Sequence, residues 1–220
     1  MSGSIGEWEN RYSLSPDVID RDGLQQWAGD RERYLTFSVD ITHRAVHDAL
    51  EQVRSVLATH DCVTVAPPEY YHITAKQIGC IRDPPKRESD ITSSTANRLQ
   101  RRARETLAEV EPFEVSFPQL DLFDRVIFCE VQAGDPMLDV HRRLCDLPAV
   151  PQWQHEREDY VPHMTISHFQ SRDGFEELIT DLEPLRDLDI PPVTIDSISL
   201  QEMHPAELYP SRETIVEFKL

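Results

Sequence analysis

Two strand-like segments carry the same short pattern, and they constrain the chain more than any other feature. One reads Tyr71-His72-Ile73-Thr74-Ala75-Lys76 and the other Val161-Pro162-His163-Met164-Thr165-Ile166-Ser167. On a strand, side chains two apart share a face. Each segment therefore projects an imidazole and a hydroxyl together, and turns Ile73 and Ala75, or Met164 and Ile166, toward a core. An aromatic residue precedes each pattern within three positions, Tyr71 in one case and Tyr160 in the other. The segments occupy corresponding places in two crude halves, each with a strand, a helix and further strands around its pattern. This implies an internal duplication, although the halves share little sequence beyond the pattern.

The remaining elements come in a mixed order. Alternation predicts strands over residues 34–41, 62–65, 113–117, 126–131, 194–202 and 214–219, beside the two patterned ones at 71–81 and 160–169. Apolar residues at helical spacing, Ala45, Val46, Leu50, Val53 and Leu57, predict a helix over 43–58. Others are predicted near 92–110, 136–145 and 173–182. Strands in clusters with helices between them point to an α+β fold, not to the strict alternation of a doubly wound parallel sheet. Residues 1–32 are polar and read as an N-terminal extension outside the main fold, with a short helix opened by Pro16 and Asp17. The main domain is expected over 33–220, with lobes of about 33–118 and 119–220.

Composition narrows the class. Of the 220 residues, 39% are hydrophobic, enough for a sizeable core. No apolar run approaches a membrane span, and the N-terminus shows no basic region followed by an apolar stretch. A monomeric cytoplasmic protein is the expectation. The four cysteines form no C-x-x-C pair, so they read as buried thiols, not zinc ligands or a redox couple. Only seven glycines are present and none cluster, which argues against a phosphate-cradling loop. Asp and Glu number 40 against 22 Lys and Arg, a net charge of −18. Lysine is confined to Lys76, Lys86 and Lys219. Such an acidic, lysine-poor surface suits solubility in high salt and a halophilic source. It argues against gripping a long duplex through many phosphates, while strong salt screens the repulsion of a short RNA end.

The patterned segments and their flanks resemble the 2H phosphoesterase superfamily, in its branch of 2′-5′ RNA ligases and RNA 2′,3′-cyclic phosphodiesterases. His72-Ile73-Thr74-Ala75-Lys76-Gln77-Ile78-Gly79 resembles that family's first motif, and Tyr160-Val161-Pro162-His163-Met164-Thr165-Ile166 its second. The likeness covers roughly residues 33–220. Ala75 replaces the usual Leu, and His168 stands where an Arg is common. The resemblance implies a bilobal, duplicated α+β fold: two antiparallel sheets around a central cleft, helices outside. It implies metal-independent hydrolysis of RNA 2′,3′-cyclic phosphate ends to 2′-phosphates without a cofactor, and run in reverse a 2′-5′ ligation. RNA ends or cyclic nucleotides would be the partners. It assigns His72 as acid and His163 as base.

The chemistry suits those residues. Opening a cyclic phosphodiester needs one group to take a proton from water and another to give one to the departing ribose oxygen. Two imidazoles can do both near neutral pH. Thr74 and Thr165 can donate to nonbridging oxygens, and Lys76, two residues past Thr74, would add positive charge on the same face. Three other readings stay open: a binding module without turnover, a phosphodiesterase for another small cyclic phosphate such as an ADP-ribose derivative, and a metal-dependent hydrolase. His43 and His47 have zinc-ligand spacing on a helix, but Arg44 replaces the Glu a zinc protease uses. His60, His141, His155 and His204 stand alone. Arg82, Lys86, Arg87, Arg98, Arg101, Arg102 and Arg104 form a basic cluster that would either line the RNA side of a cleft or be a solvated helix face.

Overall fold

The computed structural model describes residues 6–154 and 156–220. His155 lies outside the described residues. A short 3-10 turn (Trp8–Ser13) and α1 (Arg21–Ala28) lead into β1 (Tyr34–Asp40), α2 (Arg44–Ala49), α3 (Glu51–Leu57), β2 (Val63–Val65) and β3 (His72–Ile81). Then come β4 (Asp90–Ile91), α4 (Ser93–Leu107), β5 (Phe113–Val115), β6 (Leu120–Leu122), β7 (Val126–Glu130) and α5 (Gly134–Cys145). The chain closes with β8 (His163–Phe169), α6 (Phe175–Leu182), β9 (Val193–Ile195), β10 (Ser197–Met203) and β11 (Glu213–Lys219).

Local chemistry explains most of these elements. Thr92 caps α4, its hydroxyl accepting from the Thr95 amide at 3.1 Å. Behind that cap Ala96, Leu99, Ala103 and Leu107 recur on one buried face. The helix expected over 43–58 is two, with a turn at Leu50, ψ −2°, between them. Val46, Leu50, Val53 and Leu57 nevertheless remain buried, so the break keeps the apolar face whole. Strand β1 is buried from Leu35 to Val39. Its two interior polar residues are satisfied: Thr36 donates to the Lys76 carbonyl and Ser38 to Gln201 Oε1.

The fold is α+β, as expected, with two main sheets. The first has the order β11-β10-β1-β3-β4 and the second β2-β8-β7-β6; β5 and β9 form a small antiparallel pair. All pairings are antiparallel except the two-residue contact of β3 with β4. One core runs between the sheets and helices, joining Phe37, Tyr71 and Ile73 to Met164, Ile166 and Phe169. All four cysteines are buried and unpaired. No helix among the described residues is long and apolar enough to cross a membrane.

Two expectations about organisation are corrected. The lobes are not the contiguous halves 33–118 and 119–220. Strand β2 joins the second sheet, while β10 and β11 from the end of the chain complete the first. Each sheet fills its hydrogen-bonding edge with a strand from the other half, which binds the two together. The N-terminal stretch is likewise not outside the fold. Backbone amides of Gly6 and Trp8 donate to the Asp121 carboxylate, that of Glu7 to the Leu122 carbonyl, and that of Ile19 to Phe169. Trp8 is 1% exposed. The segment covers β6, the open edge of the second sheet, and so satisfies backbone groups that would otherwise face solvent or another chain.

Candidate active site

The two His-x-Thr patterns meet where the sheets meet. Strand β3 of the first sheet lies against β8 of the second. Their local geometries repeat in detail. The ring of His72 donates from Nδ1 to the carbonyl of Tyr70 at 2.6 Å, and that of His163 from Nδ1 to the carbonyl of Val161 at 2.8 Å. Both acceptors lie two residues upstream. A carbonyl can only accept, so both rings hold the Nδ1–H tautomer when neutral and leave Nε2 unprotonated.

A register shift follows each pattern at the same place. Ser38 pairs with Thr74 and Phe37 with Lys76, so Ala75 is an extra residue in β3. Phe128 pairs with Thr165 and Ile127 with Ser167, so Ile166 is the extra residue in β8. Both are β-bulges, which add one residue and reverse the alternation beyond it. A carboxylate stands in register opposite each histidine, Asp40 across from His72 and Glu130 across from His163. Each is held by a glutamine amide at 2.6 Å, from Gln201 and Gln119. The duplication read from the short patterns extends to these features, which no short motif displays.

Thr74 and His163 line one cavity of about 820 Å³, together with Phe123, Arg125, Trp153 and Tyr160. His72 and Thr165 are half-buried beside them on the same strands. Among the described residues neither threonine hydroxyl has a hydrogen-bond partner, which leaves both able to donate to a ligand. Tyr160 ties the two motifs together: its hydroxyl donates to the Thr74 carbonyl at 2.7 Å while its ring stacks on His141 at 3.8 Å. Phe123 meets the His163 ring edge-on at 5.5 Å.

The bulge changes the setting of Lys76, which still contributes to the lining of the cavity with Thr74 and His163. Simple alternation puts it on the face of Thr74, but the extra Ala75 pairs it opposite Phe37. There it is 1% exposed, and its Nζ donates to both oxygens of Glu156, at 2.5 and 2.7 Å, and to the Pro151 carbonyl at 2.8 Å. Three donors meet three acceptors, so its charge is spent inside the protein. The basic cluster is also redirected. Arg82 and Lys86 pair with Asp30, Arg87 donates to the Trp27 carbonyl, and Arg102 pairs with Glu105. None of the seven lines the cavity of Thr74 and His163. His47 meets the Ile41 carbonyl at 2.9 Å, and among the described residues no cluster of three or more His, Cys, Asp or Glu is placed to hold a metal ion. His168, where the family often has Arg, donates from Nδ1 to the Tyr209 hydroxyl, which itself donates to the Thr64 carbonyl.

Electrostatics keep the site neutral at rest. Burial pushes His72 down to about 3, helped by the nearby charges of Arg212 and His163 and opposed by the Tyr70 carbonyl. Burial also lowers His163, against the pull of the Val161 carbonyl. His141 is lowered by burial, and His168 is lowered to about 4, again chiefly by burial. An unfolded chain would protonate all four near ~6.5. Between there and their lower native values the unfolded state binds more protons, so stability falls as pH drops through that window. The urea midpoint is expected to decline from about pH 7 to about pH 5; a flat or rising midpoint would contradict this.

Two largely antiparallel sheets whose His-x-Thr strands lie against each other, with Thr74 and His163 lining one cavity, make the fold of a two-histidine phosphoesterase. Residues 71–206 match the family model of the 2′-5′ RNA ligase superfamily, and the chain belongs to that family. It is 27% identical over 172 residues to an RNA 2′,3′-cyclic phosphodiesterase of Methanothermobacter thermautotrophicus, covering 73% of this chain and 86% of that protein. The crystal structure of E. coli LigT complexed with 3′-AMP aligns with a TM-score of 0.59 at 12% identity, over 87% of this chain and 99% of LigT. The structure of TT0787 from Thermus thermophilus gives 0.57 at 15% identity, over 85% and 97%. At such identities these structures speak for the fold alone.

Sequence reasoning named both histidines and both threonines. It missed Phe123, Trp153 and Glu156, which come from loops with no local signature. Tyr160 was visible only as an aromatic flank.

Proposed function

We propose that this chain hydrolyses RNA 2′,3′-cyclic phosphate ends to 2′-phosphates, with His72 and His163 as the proton-transfer pair. The observation that carries the reading is the matched presentation of two Nε2 atoms, each ring held by the carbonyl two residues upstream. A water oxygen attacks phosphorus as its proton passes to the neutral Nε2 of one ring. The bond from phosphorus to the 3′ oxygen breaks, and the protonated Nε2 of the other ring supplies that oxygen's proton. The base ends protonated and the acid neutral, so one proton exchange with solvent resets the pair. The phosphodiester anion entering between the rings favours protonation of one of them, offsetting the burial that keeps both neutral at rest. The Thr74 and Thr165 hydroxyls donate to the nonbridging oxygens as charge builds. A cavity of about 820 Å³ is nucleotide-sized, far larger than a phosphate alone requires.

The relative from M. thermautotrophicus is named for this reaction, and the LigT complex holds 3′-AMP, which supports a nucleotide in the cleft. The test is incubation of a 2′,3′-cyclic-phosphate oligoribonucleotide with the protein in EDTA and high salt. Conversion to a 2′-phosphate end, with a bell-shaped pH profile, is the expected result. Tight binding by the folded protein with no turnover would sink the reading and favour a binding module. Turnover confined to an ADP-ribose cyclic phosphate would move the substrate, and loss of activity in EDTA would point to a metal.

A further inference from the structure

The His72 side of the site carries one cation that the sequence patterns do not include. Arg212 comes from the connection between β10 and β11, far along the chain, and its side chain is only 6% exposed. One guanidinium nitrogen meets Asp40 Oδ1 at 2.7 Å and Gln201 Oε1 at 3.0 Å, and the other donates to the Glu69 carbonyl at 3.1 Å. The guanidinium carbon lies 5.5 Å from the centre of the Tyr70 ring. Tyr70 in turn stands edge-on to the His72 ring at 4.8 Å and offers the carbonyl that takes the His72 Nδ1 proton. Asp40, the other end of the clamp, is in register with His72. Gln201 closes the network by donating to Asp40 Oδ2 and accepting from Ser38, the residue opposite Thr74.

We propose that Arg212 is the positioning residue of His72, a two-ended clamp that joins β1 and β10 to the turn at 68–70 and so fixes the carbonyl and ring that hold the imidazole. The inference rests on His72 being a reacting group. The planar guanidinium suits the task because it reaches a carboxylate, an amide oxygen and a carbonyl at once while lying over an aromatic ring. An ammonium at the same place would keep the charge and lose the fork.

The clamp also acts through charge. The groups facing His72 are Asp40 from β1, His163 from β8, Tyr70 from the turn and Arg212 from the last connection. Arg212 opposes a proton on the ring. Among the described residues, the proton affinity of His163 is lowered by burial and raised by the Val161 carbonyl, with Arg125 lining the same cavity.

The test separates geometry from charge. Nitrogen-resolved NMR would follow the His72 ring from about pH 8 down to about pH 3 in wild type, Arg212→Gln and Arg212→Lys, alongside the pH profile of turnover. Wild-type His72 should stay neutral over most of that range and take up a proton only near its acid end. In Arg212→Gln its titration should rise by about one pKa or more, and the limb of the pH profile that His72 governs should move with it. In Arg212→Lys the titration should stay near wild type while kcat falls about tenfold from the lost fork. An unmoved His72 titration in a folded Gln variant overturns the electrostatic part, and wild-type kcat in the Lys variant overturns the clamp. Should the Gln variant fail to fold, the Lys variant still decides the clamp. A wild type without turnover on cyclic phosphates would end the proposed function, yet the His72 titration would still decide whether Arg212 acts on that ring.

Discussion

Replacing either His72 or His163 by alanine is expected to lower turnover of a 2′,3′-cyclic-phosphate oligoribonucleotide by about 1000-fold or more. Each ring is half-buried and its one intramolecular hydrogen bond goes to a local carbonyl, so removing it takes little from the fold. What it takes is a proton donor or acceptor at the phosphate. The two act in a single proton-transfer cycle, so the double variant should be little worse than either single one, because groups that work as a unit are not additive. Thr74→Val and Thr165→Val should cost less, about 10- to 100-fold, since each removes one donor to the developing charge. Single-turnover rates with far-ultraviolet circular dichroism as a folding control would check this. Near-wild-type rates in either histidine variant would remove that residue from the reaction.

The second large effect concerns stability. Glu156→Ala strands the Lys76 ammonium, whose side chain is 0% exposed, with the Pro151 carbonyl as its remaining partner. Breaking a buried pair from one side costs about 3–5 kcal/mol, read as a lower urea midpoint. Lys76→Met should cost clearly less. It keeps the side-chain volume, and Glu156, 9% exposed at its side chain, retains the Trp153 amide as a donor at 2.9 Å. Equal losses in the two variants would contradict this account. The Glu156 substitution should also reach the site. The segment it anchors carries Tyr160, whose hydroxyl bonds the Thr74 carbonyl, and Arg157, whose amide donates to His141 Nε2.

Both predictions rest on features that differ in how far they can be read from sequence. The histidines and threonines were legible because a strand's alternation is local: His72 and Thr74 share a face whatever the rest of the chain does. The helices at 93–107 and 134–145 were legible for the same reason, through a cap or an apolar spacing written in consecutive residues. The break at Leu50 was not, because the apolar spacing runs through it unchanged.

Lys76 shows where local reading stops. Alternation assigned it to the face of Thr74, but one extra residue at Ala75 pairs it opposite Phe37, so that it lines the cavity with its ammonium already held by Glu156, and a bulge is set by pairing with β1, not by the strand's own sequence. Its partner Glu156 and the clamp at Arg212 come from distant segments, as does the sheet edge supplied to the second half by β2. By itself, then, the sequence determined the α+β class, the two strands and the four side chains with the right chemistry, since each depends on periodicity within a few residues. Tertiary structure alone decided which charges reach the site, which are neutralised inside, and how the halves interlock. Those outcomes depend on register and on pairs far apart in the chain, where no local pattern carries the information.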